Sequence, residues 1–442
     1  MTISFLFSLV LFSMFLKPTF AIQKSYVVYL GEHTHGLERT SVELNQVTNS
    51  HYKLLSSVFG GAEIARDKVF YSYTQSINGF AAILDEEEAA QTFGCDFCFP
   101  KQANETAHNS FMGIFEIDKR RDYIIPSKAI WKKARFGKDT IIGNLDTGVW
   151  PESRSFSDEG YGSLPSRWRG TCQTGNVDKF QCNRKFIGAR YFNKGFIASI
   201  GDKLNSSLLP SLSTVRDLDG HGSHTLSTAA GNFVPGAYVF RHGNGTASGG
   251  SPAARVAAYK VCWTPIFDTD ECAAADVLAA FDAAISDGVD VLSLSIGGDP
   301  AEFVEDGIAI GSFPAVKNGI TVVASAGNSG PTIGAVSNAA PWIFTIGAST
   351  IDREFTTYIK LGNKKKIKGI SLSATILPHG KYHPLISGAI AKLDNVSEVD
   401  ANMCVLDSLD PRKAKGKIVI CLQGENGSIE KGVAALRAGL LA

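Results

Sequence analysis

From residue 139 the chain alternates short apolar runs with helical patterns, and this alternation restricts its fold more than any other feature. "DTIIGNLDTGVW", "ARVAAYKVCW", "VDVLSLSIGG", "ITVVASAGN" and "PWIFTIGAST" read as strands that close on Gly, Asp or Asn. Between them lie runs such as "CAAADVLAAFDAAISDG", with Val277, Leu278, Phe281 and Ile285 on one helical face. Apolar strands joined by helices predict an α/β domain: a parallel sheet with helices on both faces. Ligands of such sheets bind beyond the carboxyl ends of the strands. The Asp and Asn residues that terminate these strands are therefore placed for a site.

The flanking sequence has a different character. "KSYVVYLG" (24 to 31) alternates like a strand and "HYKLLSSVFG" (51 to 60) reads as a helix. "KVFYSYTQSINGFAAILDEEEAAQ" reads as two strands about a turn at Ile77-Asn78-Gly79, then an acidic helix start. Residues 22 to 105 thus form a compact β-α-β-β-α module. Beyond about residue 352, "KIKGISLS", "KYHPLISGAI" and "KAKGKIVICLQGENGSIEKGVAALRAGLLA" suggest strands and one last helix that runs to Ala442. A chain of 442 residues accommodates two to four such domains.

"ISFLFSLVLFSMFLKPTFA" is an apolar core too short to span a membrane, broken by Lys17 and Pro18 and followed by small residues. It predicts a secretory signal peptide over residues 1–21, cleaved after Ala21, and no membrane anchor. Six cysteines fall into sequence-local pairs, Cys172/Cys182, Cys262/Cys272 and Cys404/Cys421, as expected of loop-stapling disulfides in an exported chain. Five N-x-S/T sequons, at Asn104, Asn205, Asn244, Asn395 and Asn426, are glycosylation candidates in that setting. Lys+Arg and Asp+Glu both number 43, so nucleic acid is not an expected partner.

Three stretches carry chemistry. Asp146 ends a buried strand in "IIGNLDTGVWPES", which suits either an Asx-turn acid or a catalytic carboxylate. "DTG" is also an aspartic-protease motif, but those enzymes share a proton between two such carboxylates and no second copy is present. In "RDLDGHGSHTLSTAAGN", small residues around His221 let another segment approach the imidazole. His221 and His224 could also be a zinc pair, though no Glu lies beside them as in H-E-x-x-H. Asn328 in "VVASAGNSGP" follows a buried strand and could present its amide to a developing oxyanion, or simply make a turn. The strand end Ser295-Ile296-Gly297 could pair with an extended peptide.

These three blocks, in this order, resemble the Asp, His and oxyanion-Asn motifs of the subtilisin-like serine proteases. "GTASGGSPAARVAAYKVCW" and the "TC…FQCNRKFIGARYF" block resemble the plant branch. The resemblance implies an α/β, parallel-sheet subtilisin-like catalytic domain over 106–350 and a propeptide over 22–105 that inhibits it intramolecularly. Residues 351–442 would begin an inserted region with a partial protease-associated domain. It implies His221 as general base, Asp146 as its orienting carboxylate, Asn328 at the oxyanion, and Ser295, Ile296 and Gly297 lining the cleft for polypeptide substrates. No metal or other cofactor is expected.

The family's serine block, G-T-S-M-[SA]-x-P, is missing from this sequence. Ser248 in "GTAS" precedes a loop and a strand, not a helix, and Ser223 and Ser329 neighbour other roles. In subtilisin itself, loss of the serine costs about 10⁶ in turnover. The chain as it stands is therefore expected to be inactive, a shortened form of a longer precursor. The alternative is an inactive chain whose 22–105 module binds or inhibits active relatives. The propeptide junction resembles the plant pattern only distantly in "ETAHNSFMGIF", with processing expected near Glu105/Thr106. No redox or zinc role is expected for Cys95 and Cys98.

Overall fold

The computed structural model describes residues 23–33, 40–93, 98–100, 103–106, 129–175, 179–201, 204, 209–265, 271–350, 354–373, 380–424 and 426–440. The signal-peptide stretch, Cys95, Asn205 and the junction at 107–128 lie outside the described residues. Two compact units are present: Met1–Tyr238 with Gly243–Ile351, and Val239–His242 with Asp352–Ala442.

The first unit begins with β1 (Lys24–Glu32), α1 (Ser41–Phe59), α2 (Ala62–Lys68), β2 (Val69–Tyr73), β3 (Ile77–Leu84), α3 (Glu86–Phe93) and β4 (Cys98–Pro100). The four strands form an antiparallel sheet in the order β2-β3-β1-β4. Helix α1 starts at a reciprocal cap: Thr40 Oγ1 accepts from the Glu43 amide, and the Glu43 carboxylate accepts from the Thr40 amide. Tyr26 and Val28 pack against Leu55, Ala65, Phe80 and Leu84, whereas Val27 joins a second core, as the two-residue period of a strand requires.

The turn between β2 and β3 is not where the sequence placed it. It falls at 74–76, and Asn78-Gly79 lies inside β3. Gly79 is there because β1 runs close: a Cβ would sit 2.3 Å from the Val28 carbonyl oxygen. Asn78 instead holds the buried His51, whose Nε2 lies 3.0 Å from Asn78 Oδ1.

There follow β5 (Ala103–Thr106), β6 (Ile141–Asp146), β7 (Phe186–Tyr191), α4 (Lys194–Ile200), α5 (His221–Ala230), β8 (Val234–Val239) and β9 (His242–Ala247). Next come β10 (Arg255–Lys260), β11 (Cys272–Ala273), α6 (Ala274–Asp287), β12 (Val291–Leu294), β13 (Ile296–Gly297), α7 (Gly307–Lys317), β14 (Thr321–Ser325) and β15 (Phe344–Ile346). Six strands build a wholly parallel sheet in the order β15-β14-β12-β6-β10-β7. Every residue of β6 and β10 is buried, which accounts for their mainly apolar sequence; the polar exceptions are Asn144, Asp146, Arg255 and Lys260. Helix α6 buries twelve of its fourteen residues, three aspartates among them, so each of those carboxylates needs partners. Asp287 finds Arg190 at 2.7 Å and the Tyr259 hydroxyl at 2.9 Å. Cys172–Cys182 and Cys262–Cys272 are bonded.

The second unit carries the antiparallel hairpin β16 (Thr356–Lys360) and β17 (Lys366–Ile370) and the parallel pair β18 (Leu385–Ser387) and β19 (Ile418–Ile420). Its core gathers Ile386, Ala391, Cys404, Leu409, Ala414 and Ala435, with Cys404 bonded to Cys421. Three short helices, at 388–391, 398–403 and 411–414, were not foreseen. The last helix, α8 (Ser428–Arg437), ends before Gly439 at φ 68°, short of where the sequence pattern carried it. Asn244 and Asn395 are exposed; Asn104 lies in β5, and Asn426 is half-buried with its amide donating to Met403 O at 3.1 Å. Among the described residues no helix is long and apolar enough to cross a membrane.

Candidate active site

Because the six strands are parallel, their carboxyl ends share one edge. Asp146 closes β6, Ser295 follows β12 and Asn328 stands three residues beyond β14 on that edge. Lys260, the last residue of β10, pairs in register with Asp146.

His221 is the first residue of α5 and reaches the buried Asp146, with Nδ1 2.7 Å from Oδ1. A carboxylate oxygen accepts, so Nδ1 is the donor of this contact and Nε2 is the ring nitrogen left to take up a proton. Two further donors fix the carboxylate: the Thr147 amide at 2.7 Å on Oδ1 and the Thr225 hydroxyl at 2.9 Å on Oδ2. Thr225 lies one helical turn from His221 and so shares its face. The strand and helix touch backbone to backbone. A Cβ on Gly222 would sit 2.4 Å from the Gly148 carbonyl oxygen, and the Gly222 amide donates to Thr147 Oγ1 at 2.7 Å.

Asp217, overlooked in the sequence, organises the start of α5. Its Oδ1 accepts from the Gly220 amide and the Thr147 hydroxyl, and its Oδ2 from the Ser223 amide and hydroxyl at 2.7 Å each. Burial pushes this carboxyl up, but the Gly220 and Ser223 donors outweigh it and hold it below the usual range. Gly220, at φ 103°, supplies the left-handed turn into the helix. Ser223 also accepts from the Trp150 amide at 2.8 Å, so its hydroxyl is committed to this scaffold. Lys260 reaches beneath, donating to Arg216 O at 2.7 Å, and burial pulls its amine down to about 8.

His224 is half-buried one turn along. Burial lowers its pKa, and the neighbouring His221 adds to the effect. Among the described residues no three His, Cys, Asp or Glu side chains gather as a metal-binding set. Asn328 is exposed in the loop after β14, beside the exposed Ser329. Ile296 and Gly297, expected as an exposed strand end, are buried as β13. Asn338 Nδ2 donates to Ile296 O at 2.7 Å and to Ser325 O at 2.9 Å, fixing that strand against β14.

Residues 137–419 match the subtilase family (Peptidase S8), and residues 25–92 match the peptidase inhibitor I9 family. The chain belongs to the subtilase family. It is 54% identical over 444 residues to subtilisin-like protease SBT5.3 of Arabidopsis thaliana, an alignment covering 99% of this chain and 56% of that protein. SBT5.4 of the same plant is 54% identical across 98% of this chain and 54% of its own length. The soybean (Glycine max) subtilisin-like protease Glyma18g48580 is 48% identical across 98% and 55%. The chain thus spans about half the length of these curated relatives.

In this subtilase the I9 module docks on α6. The buried Asp282 accepts four successive backbone amides from the β2–β3 turn and the start of β3: Thr74 and Gln75 on Oδ2, Ser76 and Ile77 on Oδ1, at 2.5–3.0 Å. Burial raises its pKa while those four donors pull the other way. Asp276 accepts from the Tyr71 hydroxyl at 2.7 Å and from the amides of Gly195 and Phe196 at 2.8 Å; burial still pushes it up to about 6. The segment β5, which follows the module, is the middle of a three-stranded antiparallel sheet. Asn104 and Ala103 pair with Cys272 and Ala273, and Thr106 and Glu105 pair with Ile296 and Gly297. A peptide strand therefore already lies on the strand that the sequence assigned to substrate.

Proposed function

We propose that this chain is part of the precursor of an exported serine endopeptidase that hydrolyses peptide bonds by acyl-enzyme chemistry. In this reading residues 22–105 are the inhibitory propeptide, 106–350 the first part of the catalytic domain, and 351–442 an inserted region with part of a protease-associated domain. His221 Nε2 takes the proton of a serine hydroxyl as that oxygen attacks the substrate carbonyl, and later gives it to the leaving amine. Asp146, held by Thr147 and Thr225, keeps the ring in the required tautomer and stabilises the imidazolium. Asn328 donates to the tetrahedral oxyanion. Ser295, Ile296 and Gly297 receive the polypeptide as an added strand. The nucleophilic serine belongs to a part of the longer product that this sequence does not contain.

The observation that carries the reading is the buried 2.7 Å Asp146–His221 contact at the sheet edge, beside a strand paired with peptide. The test is to express the full-length product and treat it with a serine-directed fluorophosphonate. One covalent adduct and loss of peptidase activity are expected, and His221→Ala should abolish both. Activity that survives the phosphonate but is removed by a chelator would refute the reading.

A further inference from the structure

The β16–β17 hairpin concentrates positive charge in a chain whose Lys+Arg and Asp+Glu are equal overall, 43 each. Between residues 354 and 373 five lysines, Lys360, Lys364, Lys365, Lys366 and Lys368, meet one acid, Glu354. All five are exposed. Glu354 is engaged by Lys368, and among the described residues no acid pairs with the other four.

The register aligns this charge. Lys360 stands directly opposite Lys366, and Tyr358 directly opposite Lys368. Successive side chains alternate between faces, so Tyr358, Lys360, Lys366 and Lys368 share one face. Side chains directly opposite are about 5 Å apart at Cβ, and like charges so placed repel. Rungs on one face repeat every ~6.7 Å. The row therefore continues from the Tyr358–Lys368 rung to the Lys360–Lys366 rung and on to the turn lysines. At the turn Lys364 adopts φ 69°, a left-handed conformation that Gly or Asn adopts without strain. The repulsive Lys360–Lys366 pair works against the hairpin by itself and is relieved if an anion lies along this face.

We propose that this face of the hairpin binds a linear acidic polysaccharide, its carboxylate or sulfate groups lying along the lysine row. Two features favour sugar over other polyanions. Tyr358, 63% exposed, offers a ring beside Lys368 against which a pyranose can stack. The three disulfides among the described residues suit an oxidising exterior, where acidic glycans rather than nucleic acids are the polyanions at hand. The proposal concerns tethering and is independent of the Asp146–His221 chemistry.

The test measures binding of the chain to polygalacturonate and to heparin across a salt series. Binding is expected to weaken steeply with salt, as counterion release from several contacts requires. K360Q/K365Q/K366Q should lose at least tenfold in affinity, whereas K132Q/K133Q/K138Q, the same loss of charge elsewhere, should stay within twofold. Tyr358→Leu should weaken binding severalfold and leave the salt dependence unchanged. Equal losses in both triple variants, or no binding to either glycan, would overturn the proposal. So would tighter binding to duplex DNA or to phosphatidylserine vesicles at the same ionic strength. Near-identical Tm values for the variants would show that the hairpin has not unfolded.

Discussion

Replacing Asp282 by Asn tests whether one side chain on α6 holds the I9 module in place. The native carboxylate accepts four backbone amides, two on each oxygen. Asparagine keeps one oxygen and turns an NH₂ group towards the other two amides, leaving them buried without an acceptor. A hydrogen bond to a charged group contributes about 1.5–3 kcal/mol, and orphaning a buried donor costs ~1–3 kcal/mol. These effects overlap, and breaking a buried charged network generally costs about 3–5 kcal/mol. At ~1.4 kcal/mol per tenfold, local opening of the β2–β3 turn should rise by roughly 10² to several thousandfold. Amide hydrogen exchange on the intact chain at neutral pH reads this directly. Thr74, Gln75, Ser76 and Ile77 should lose that much protection, while Ile141 to Leu145 in β6 change far less. Unchanged exchange at the four amides would show that the turn is held by its own backbone and by the packing of Tyr73 and Ile77.

Two further perturbations reach the site and the interface. Gly222→Ala places a methyl 2.4 Å from Gly148 O and 2.8 Å from Gly148 N, both backbone atoms, so α5 must move off β6. We expect about 1–3 kcal/mol of destabilisation in a urea titration and a longer Asp146–His221 contact; an unchanged midpoint would contradict it. Asp276, with a folded pKa of about 6 against an ordinary 3.8, binds a proton in the folded chain at a pH where the unfolded chain does not. Its contribution is therefore greatest below about 4 and is lost as pH rises through about 6. Wild type should gain up to ~3 kcal/mol relative to Asp276→Asn between pH 7 and pH 4, and parallel stability curves would refute this.

Much of the fold was legible because burial imposes periodicity. The fully buried strands β6 and β10 are mainly apolar in sequence, as is α6 apart from its three partnered aspartates. Asp146, His221 and Asn328 could be picked out because polar residues flanked by glycines interrupt those runs. The turn between β2 and β3 was misplaced for a tertiary reason. Asn78-Gly79 has turn composition, but its glycine answers to β1 and its asparagine to His51. Thr225, four residues after His221, could have been found from helical spacing. Asp217 could not readily be told from Asp219, since two acids share one loop and only packing chooses which carboxylate faces the amides of α5.

The sequence by itself determined the alternating α/β pattern, the family motifs and the local cysteine pairs, because each is encoded within a few residues of chain. Only the tertiary structure decided that the Asp146 carboxylate meets His221 Nδ1, that β5 lies on β13, and that Asp282 seizes a turn some two hundred residues away. Those contacts join segments that share no local signal. They arise because a parallel sheet brings all its strand ends to one edge, and because a buried carboxylate must find donors wherever the packed chain supplies them.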